Sequence, residues 1–249
     1  MKIIVYTICL SVIINLSACK NEKKQTTSNT ISVVKENIDT AGRKAEAKNR
    51  LEFPEPDFSK MGNKVAALIP PGYDIDMEAN GDLNHDGIED KVIVLMKTKD
   101  TTAHRLALIL LKMDNTYRVD AKSFSILGSK FREDGYQNYD FEDLNIDKNG
   151  QLIFTQQSTG PNGSIESTFK YINNELVLTH ISSFAMGAGG QTELKLDLIK
   201  GIFEQTNINT MKEDMPAETT TKKYKLPKVL FANSDPKNIM INAYNKVGQ

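Results

Sequence analysis

The chain of 249 residues has little cysteine, little histidine and no tryptophan. Its two cysteines, Cys9 and Cys19, both fall within the first twenty residues. The remainder has no partner for an internal disulfide and no thiol to mispair in an oxidising compartment. The three histidines, His85, His104 and His180, stand apart, with no His-Glu-x-x-His pair and no Gly-x-Ser-x-Gly elbow beside them. Gly187-Ala188-Gly189-Gly190 lacks the Lys-Ser/Thr with which a Walker A loop holds a nucleotide phosphate, so it reads as a strand connection. The apolar run Ile3 to Ile14 falls short of the roughly 20 residues that a membrane-spanning helix needs. Asp and Glu are plentiful, but abundance alone groups no glycosidase-like pair. No catalytic constellation can be assembled from these residues.

What is present begins with Leu16-Ser17-Ala18-Cys19, directly behind that apolar run, with Lys2 in front of it. A basic tip, an apolar stretch and small residues at the cut make a secretory signal. With a cysteine closing the small residues, the segment resembles the lipobox of bacterial lipoproteins. The alternative is an ordinary signal peptide with a chance cysteine. The resemblance implies loss of residues 1–18, acylation of the Cys19 thiol with an N-terminal acyl/diacylglycerol lipid, and attachment to a membrane through that anchor. Each buried CH2 contributes about 0.8 kcal/mol, so several acyl chains hold far better than one. Lys20-Asn21-Glu22 is similar to the short signal that sends Bacteroidota-type lipoproteins to the outer face of the outer membrane. Lys23 and Lys24 follow a single acid, which also suits a plain solvated tether. Position 20 is not the aspartate that retains such proteins in the inner membrane of enteric-type bacteria. The resemblance thus implies the cell envelope, the outer membrane before the inner, on either face.

Residues 19–60 read as a flexible, disordered tether, with a loose helix around Ala45 to Arg50 as the alternative. Residues 20–50 carry eight Lys/Arg against four Asp/Glu and no aromatic side chain, so the rest of the chain is acidic. An acidic body on a basic tether argues against nucleic acid as a partner of the folded part.

Beyond Pro54 and Pro56 the pattern becomes that of a folded domain, expected over residues 61–206 with a C-terminal arm, partly loop, over 207–249. Lys60 to Ile69 suits one short amphipathic helix stopped by Pro70-Pro71. Lys91 to Met96 and Arg105 to Leu111 are apolar runs of strand length, as expected of central strands covered on both faces. Asp114-Asn115 predicts a hairpin into Thr116 to Val119, and Lys148-Asn149-Gly150 a turn between Phe141 to Asp147 and Gln151 to Gln156. Alternation over Ile165 to Tyr171 and Leu194 to Leu198, with Asn173-Asn174 turning into Glu175 to Leu178, adds further strands. Met211 to Lys225 is polar and threonine-rich and reads as a loop, with Leu226 to Phe231 returning as a closing strand. The fold class is mainly β: a single antiparallel β-sheet or sandwich-like domain of about eight strands with one short helix.

The strongest site candidate is Asp82-Leu83-Asn84-His85-Asp86-Gly87-Ile88-Glu89-Asp90. Asp82, Asn84, Asp86 and Asp90 place oxygen donors at loop positions 1, 3, 5 and 9, with the Ile88 carbonyl at 7. Alternate positions of a tight loop turn side chains to one side, and a hard cation such as Ca2+ takes several oxygens at about 2.3–2.6 Å. Gly87 permits the bend, while His85 and Glu89 point away. An EF-hand requires a glutamate at position 12, which here is Ile93, already in a strand. A polar turn without metal is the competing reading. The related stretch Asp143 to Gly150 carries its glycine at position 8 and continues a strand, so it reads as a hairpin.

With Ile69-Pro70-Pro71-Gly72-Tyr73, the Arg105 to Leu111 strand and Ser167 to Tyr171 paired with Glu175 to Leu178, this loop resembles the calcium loop of uncharacterised VCBS/FG-GAP-like (integrin-α-like) repeat proteins of bacterial envelopes. The similarity covers about residues 69–200 and only the acidic loop is specific. One copy of the loop is present, so no multi-bladed propeller is implied, and the Arg-Trp pair typical of the group is missing. The group carries no established activity. What emerges is a non-catalytic, lipid-anchored envelope protein with a calcium-stabilised β domain, serving a binding or structural role toward an envelope protein or glycan. The alternative is an envelope hydrolase acting on glycan or peptide through carboxylates the sequence does not group.

Overall fold

The computed structural model describes residues 56–158 and 160–248. The expected signal segment 1–18, Cys19, the expected tether up to residue 55 and its alternative, a loose helix around Ala45 to Arg50, lie outside the described residues.

The Val/Ile/Leu runs occupy the centre. β3 (Asp90–Lys97) and β4 (Leu106–Met113) pair antiparallel and are buried on both faces, as their unbroken apolar pattern requires. They sit in a five-stranded sheet with β1 (Met61–Gly62), β2 (Tyr73–Gly81) and β5 (Thr116–Ser123), ordered β1-β5-β4-β3-β2. Seven further strands run up and down in chain order. They are β6 (Tyr139–Ile146), β7 (Leu152–Ser158), β8 (Ser164–Ile172), β9 (Glu175–Gly187), β10 (Gly190–Asp197), β11 (Ile202–Asn209) and β12 (Ala217–Lys223). Each of these pairs antiparallel with the next, so every connection is a hairpin.

The two sheets share one core. Val92, Val94, Ala107 and Ile109 from the first meet Leu144, Leu152, Phe154, Phe169 and Phe203 from the second. Phe231 completes an aromatic cluster there, its ring centroid 5.3 Å from that of Phe169 in an edge-on arrangement. The opposite face of β3 and β4, with Ile93, Leu95, Leu106 and Leu108, is covered by Leu68, Val65, Ile69 and Phe58. A sandwich-like, mainly β body is therefore the architecture. The turn chemistry is as the sequence suggests: Asn173 and Asn174 both take positive φ, 50° and 62°, in the two-residue β8–β9 connection.

Four local expectations are corrected. Lys60 to Ile69 forms only a single 3-10 turn at Val65–Leu68, because β1 occupies Met61–Gly62 and Pro70 follows at once. Among the described residues the one α-helix is α1 (Pro236–Val247), capped by Asp235, whose side chain accepts from the Asn238 N–H, with proline in the first turn. Its Met240 and Ala243 enter the shared core. The threonine-rich segment holds β12 rather than a continuous loop. It shows no alternation because all of its residues are exposed, and threonine is a good strand former without it. Leu226 to Phe231 makes no strand: Pro227 removes a donor, and the contact with β9 is one isolated bridge, Val177 to Leu230. The sheets thus extend beyond residue 206, and the C-terminal stretch is built into the same body.

Candidate functional site

The acidic loop links β2 to β3 and rests on the β6–β7 turn. A Cβ added at Gly150 would stand 2.8 Å from the Asp82 carbonyl oxygen, so only glycine lets the two loops approach this closely. Within the loop, His85 takes a φ of 61° and Gly87 one of 83°, which folds the chain back on itself. The side chains then close the turn through backbone N–H groups. Asp82 accepts from the Asp86 and Gly87 N–H groups at 3.1 and 2.9 Å. Asn84 accepts from the Asp86 N–H at 3.1 Å and donates through its amide to Asp86 at 2.9 Å. Asp86 accepts from the Ile88 N–H at 2.8 Å. His85 and Glu89 are exposed.

Asp90 behaves differently. It is 1% exposed, and its two oxygens accept from the Leu83 N–H at 3.0 Å and the Lys112 N–H at 2.9 Å, tying the loop base to β4. Burial pushes its carboxyl above the usual range. The two N–H bonds oppose that shift, while the negative charges of Asp86 and Asp82 add to it. No Lys or Arg among the described residues pairs with Asp82, Asp86 or Asp90. The loop therefore brings Asp82, Asn84 and Asp86 into one hydrogen-bonded net and holds Asp90 beneath it. All of the donors are oxygen, which suits a hard cation in kind. In arrangement they are not yet a coordination shell: among the described residues no group of three or more His, Cys, Asp or Glu side chains is placed to hold a metal ion.

A second charged cluster was not legible as a site. Arg105, at the head of β4, is 1% exposed. Its guanidinium binds Glu142 of β6 bidentately, at 2.7 and 2.6 Å, and Asp76 of β2 at 2.9 Å. Lys130 also donates to Asp76, and Gln156 of β7 donates to Glu142 at 2.8 Å. Burial alone lowers the affinity of Arg105 for its proton. Hydrogen bonds and charge from Glu142 and Asp76 more than reverse this, so the guanidinium is held above its ordinary value. Two cations face two anions, and the cluster spans both sheets. The available signal was a charged residue leading straight into an apolar strand, which must be paired if buried. A smaller link of the same kind joins β8 to β5, where the Tyr171 hydroxyl donates to Asp120 at 2.5 Å and Arg118 pairs with Asp120 at 2.8 Å.

Two surface features bear on binding. Tyr136 is exposed, with Arg132 stacked 5.6 Å from its ring, whereas Tyr139 is half-buried against α1. A groove of about 420 Å3 on the outer face of the seven-stranded sheet is lined by charged groups including Glu166, His180, Lys195, Asp197 and Glu204. No family model, curated protein or solved structure matches the chain.

Proposed function

We propose that this chain is a lipid-anchored protein of the bacterial cell envelope, the outer membrane before the inner. In this reading its β body is a non-catalytic binding or structural module stabilised by calcium at the Asp82–Asp90 loop. The observation that carries the anchor is the order basic tip, apolar run, Leu16-Ser17-Ala18-Cys19, with no other cysteine after it. No helix among the described residues is long and apolar enough to cross a membrane, so no described helix duplicates that anchor. Expression in a bacterium with an alkyne-tagged fatty acid tests it. The chain should take up the label and fractionate with membranes, and Cys19→Ala should lose both properties. An unlabelled wild-type chain in the soluble fraction would refute it.

What supports calcium is an oxygen-only loop whose three carboxylates have no cation of their own, packed where the sheets meet. Each oxygen of Asp82 and Asp86 accepts one hydrogen bond and keeps a second lone pair free. Binding requires the loop to tighten, with Asp86 released from the Asn84 amide. Affinity is expected on the order of 10⁻⁴–10⁻³ M, as for extracellular modules. At ten times Kd the gain is about 1.4 kcal/mol, or roughly 3–6 °C in Tm. Calcium titration monitored by thermal unfolding should show that rise, and the double variant Asp82→Ala/Asp86→Ala should not. A flat wild-type response removes the ion from the proposal and leaves the anchor untouched. The hydrolase alternative finds no footing in the Asp76–Glu142 pair, since both carboxylates are shut from solvent and ion-paired, Asp76 with Arg105 and Lys130 and Glu142 with Arg105.

A further inference from the structure

The four sheet edges are not equally protected. β1 is two residues long, and β2 and β6 each carry a register shift, at Ile75/Met77 and at Tyr139/Phe141. Short edges, bulges, prolines and charged side chains are the ordinary means by which proteins prevent edge-to-edge pairing. β12 is neither short nor bulged nor broken by proline: its seven residues pair with β11 without interruption, every side chain is exposed, and its charges, Glu218 with Lys222 and Lys223, are of both signs.

The direction of its unpaired backbone groups follows from the ladder. At its two ends the Tyr224 N–H donates to Gly201 and the Asn209 N–H to Pro216, at 2.9 and 3.0 Å, which marks hydrogen-bonded pairs in the β11–β12 register. Antiparallel ladders alternate, so Glu218, Thr220 and Lys222 turn their backbone groups toward β11. Ala217, Thr219, Thr221 and Lys223 turn theirs outward.

We propose that β12 pairs antiparallel with β12 of a second copy of this chain, about a two-fold axis through Thr220, joining two seven-stranded sheets edge to edge. The sequence Ala-Glu-Thr-Thr-Thr-Lys-Lys is complementary to itself in this register. Ala217 meets Lys223 and Thr219 meets Thr221 in hydrogen-bonded pairs, so every outward N–H and C=O finds a partner. The intervening, closer pairs set Glu218 against Lys222 on both sides of the axis and Thr220 against its own copy. Opposite charges directly across a strand pair are favourable, and like charges are not. Shifting the register by two residues in either direction loses both Glu–Lys pairs and leaves outward groups unpaired. An isologous contact of this kind closes after two copies, so it forms a dimer and no filament. No apolar anchor is buried, which places it with weak interfaces of less than about 1,200 Å2.

The test is cysteine cross-linking of the full chain in detergent, with copper–phenanthroline as oxidant and the unsubstituted chain as baseline. Across the axis the two Thr220 Cα atoms stand about 4.5 Å apart, within reach of a disulfide. Thr220→Cys should give a band of twice the mass, with Thr219→Cys at least tenfold weaker because its copies are offset. In the Thr220→Cys background, Glu218→Lys or Lys222→Glu alone should cut the yield at least fivefold, and the two together should restore it. Thr219→Pro should abolish the product while leaving the circular dichroism unchanged and the Tm within a few degrees, since that N–H points away from β11 and only the exposed hydroxyl contact with Thr206, at 2.8 Å, is lost. A Thr220→Cys chain that folds but stays monomeric overturns the proposal. So do equal yields from positions 219 and 220, or a double swap that fails to rescue.

Discussion

Two acidic clusters lie where the sheets of this protein meet, and they are treated in opposite ways. Asp76 and Glu142 are closed over by Arg105 and Lys130, so their charge is cancelled inside the fold and the cluster ties β2, β4 and β6 together. Asp82, Asp86 and Asp90 have only backbone N–H groups and the Asn84 amide for company. A cluster that carries its own cations has no call for another and is suited to holding the structure. One left net negative, and partly open to water, is suited to a cation from outside. The lesson is that charge balance separates the two more sharply than acidity does.

Breaking the balanced cluster should produce the largest effect. Arg105→Ala strands two buried carboxylates and is expected to cost about 3–5 kcal/mol in urea unfolding at unchanged m-value; a loss under about 1 kcal/mol would show that the cluster does not tie the sheets. Next comes the base of the open loop. Asp90→Asn replaces one of two accepting oxygens with an amide that cannot accept, leaving either the Leu83 or the Lys112 N–H unsatisfied, and about 1–3 kcal/mol should be lost. A neutral result would mean that water or a moved loop satisfies that donor.

The calcium response then sharpens the comparison. The rise in Tm should vanish with Asp82→Ala/Asp86→Ala and survive Lys130→Met, which alters only the balanced cluster; the reverse pattern would exchange the roles assigned to the two.

The smallest effect concerns pH, and two aspartates should differ in sign. Burial tends to raise the Asp147 carboxyl, but N–H bonds from Gln151 and Asn149, with their side-chain amides, hold it below its usual value. Its contribution is present above the ordinary aspartate pKa and is lost as pH falls through the lowered one. Asp147→Asn should therefore show a shallower fall in Tm between about pH 5 and pH 2. Asp90 sits above its usual value, so its protonated form favours folding at low pH, and that contribution is lost as pH rises through the raised pKa. Asp90→Asn should accordingly lose a gain on acidification that the wild type retains. Identical pH profiles for both variants and the wild type would contradict this assignment.

Residues 90–198 were the readable part of the fold. β3 and β4 announce themselves because a strand covered on both faces has no reason to alternate, and β8 and β10 because half-buried strands do. The hairpins at Asp114, Asn173 and Asp147 follow from residues that tolerate a positive φ or bond their own backbone. β2 was hidden by its acids: Asp74, Asp76 and Glu78 interrupt it, and Asp76 sits at a bulge that aims it at Arg105. α1 carried a start signal in Asp235-Pro236, but its apolar face is narrow.

Local chemistry therefore decided the β class, most of the turns and the oxygen-rich loop, since each depends on near neighbours in the chain. The fold alone decided which acids are matched by cations, because Asp76, Arg105, Lys130 and Glu142 are far apart in sequence and meet only when the sheets stack. It decided equally that, among the described residues, β12 is the last strand of its sheet and unbulged, a property of sheet order that no window of residues contains. Periodicity and turn propensity act over a few residues, whereas burial and charge pairing act across whatever the folded chain brings together.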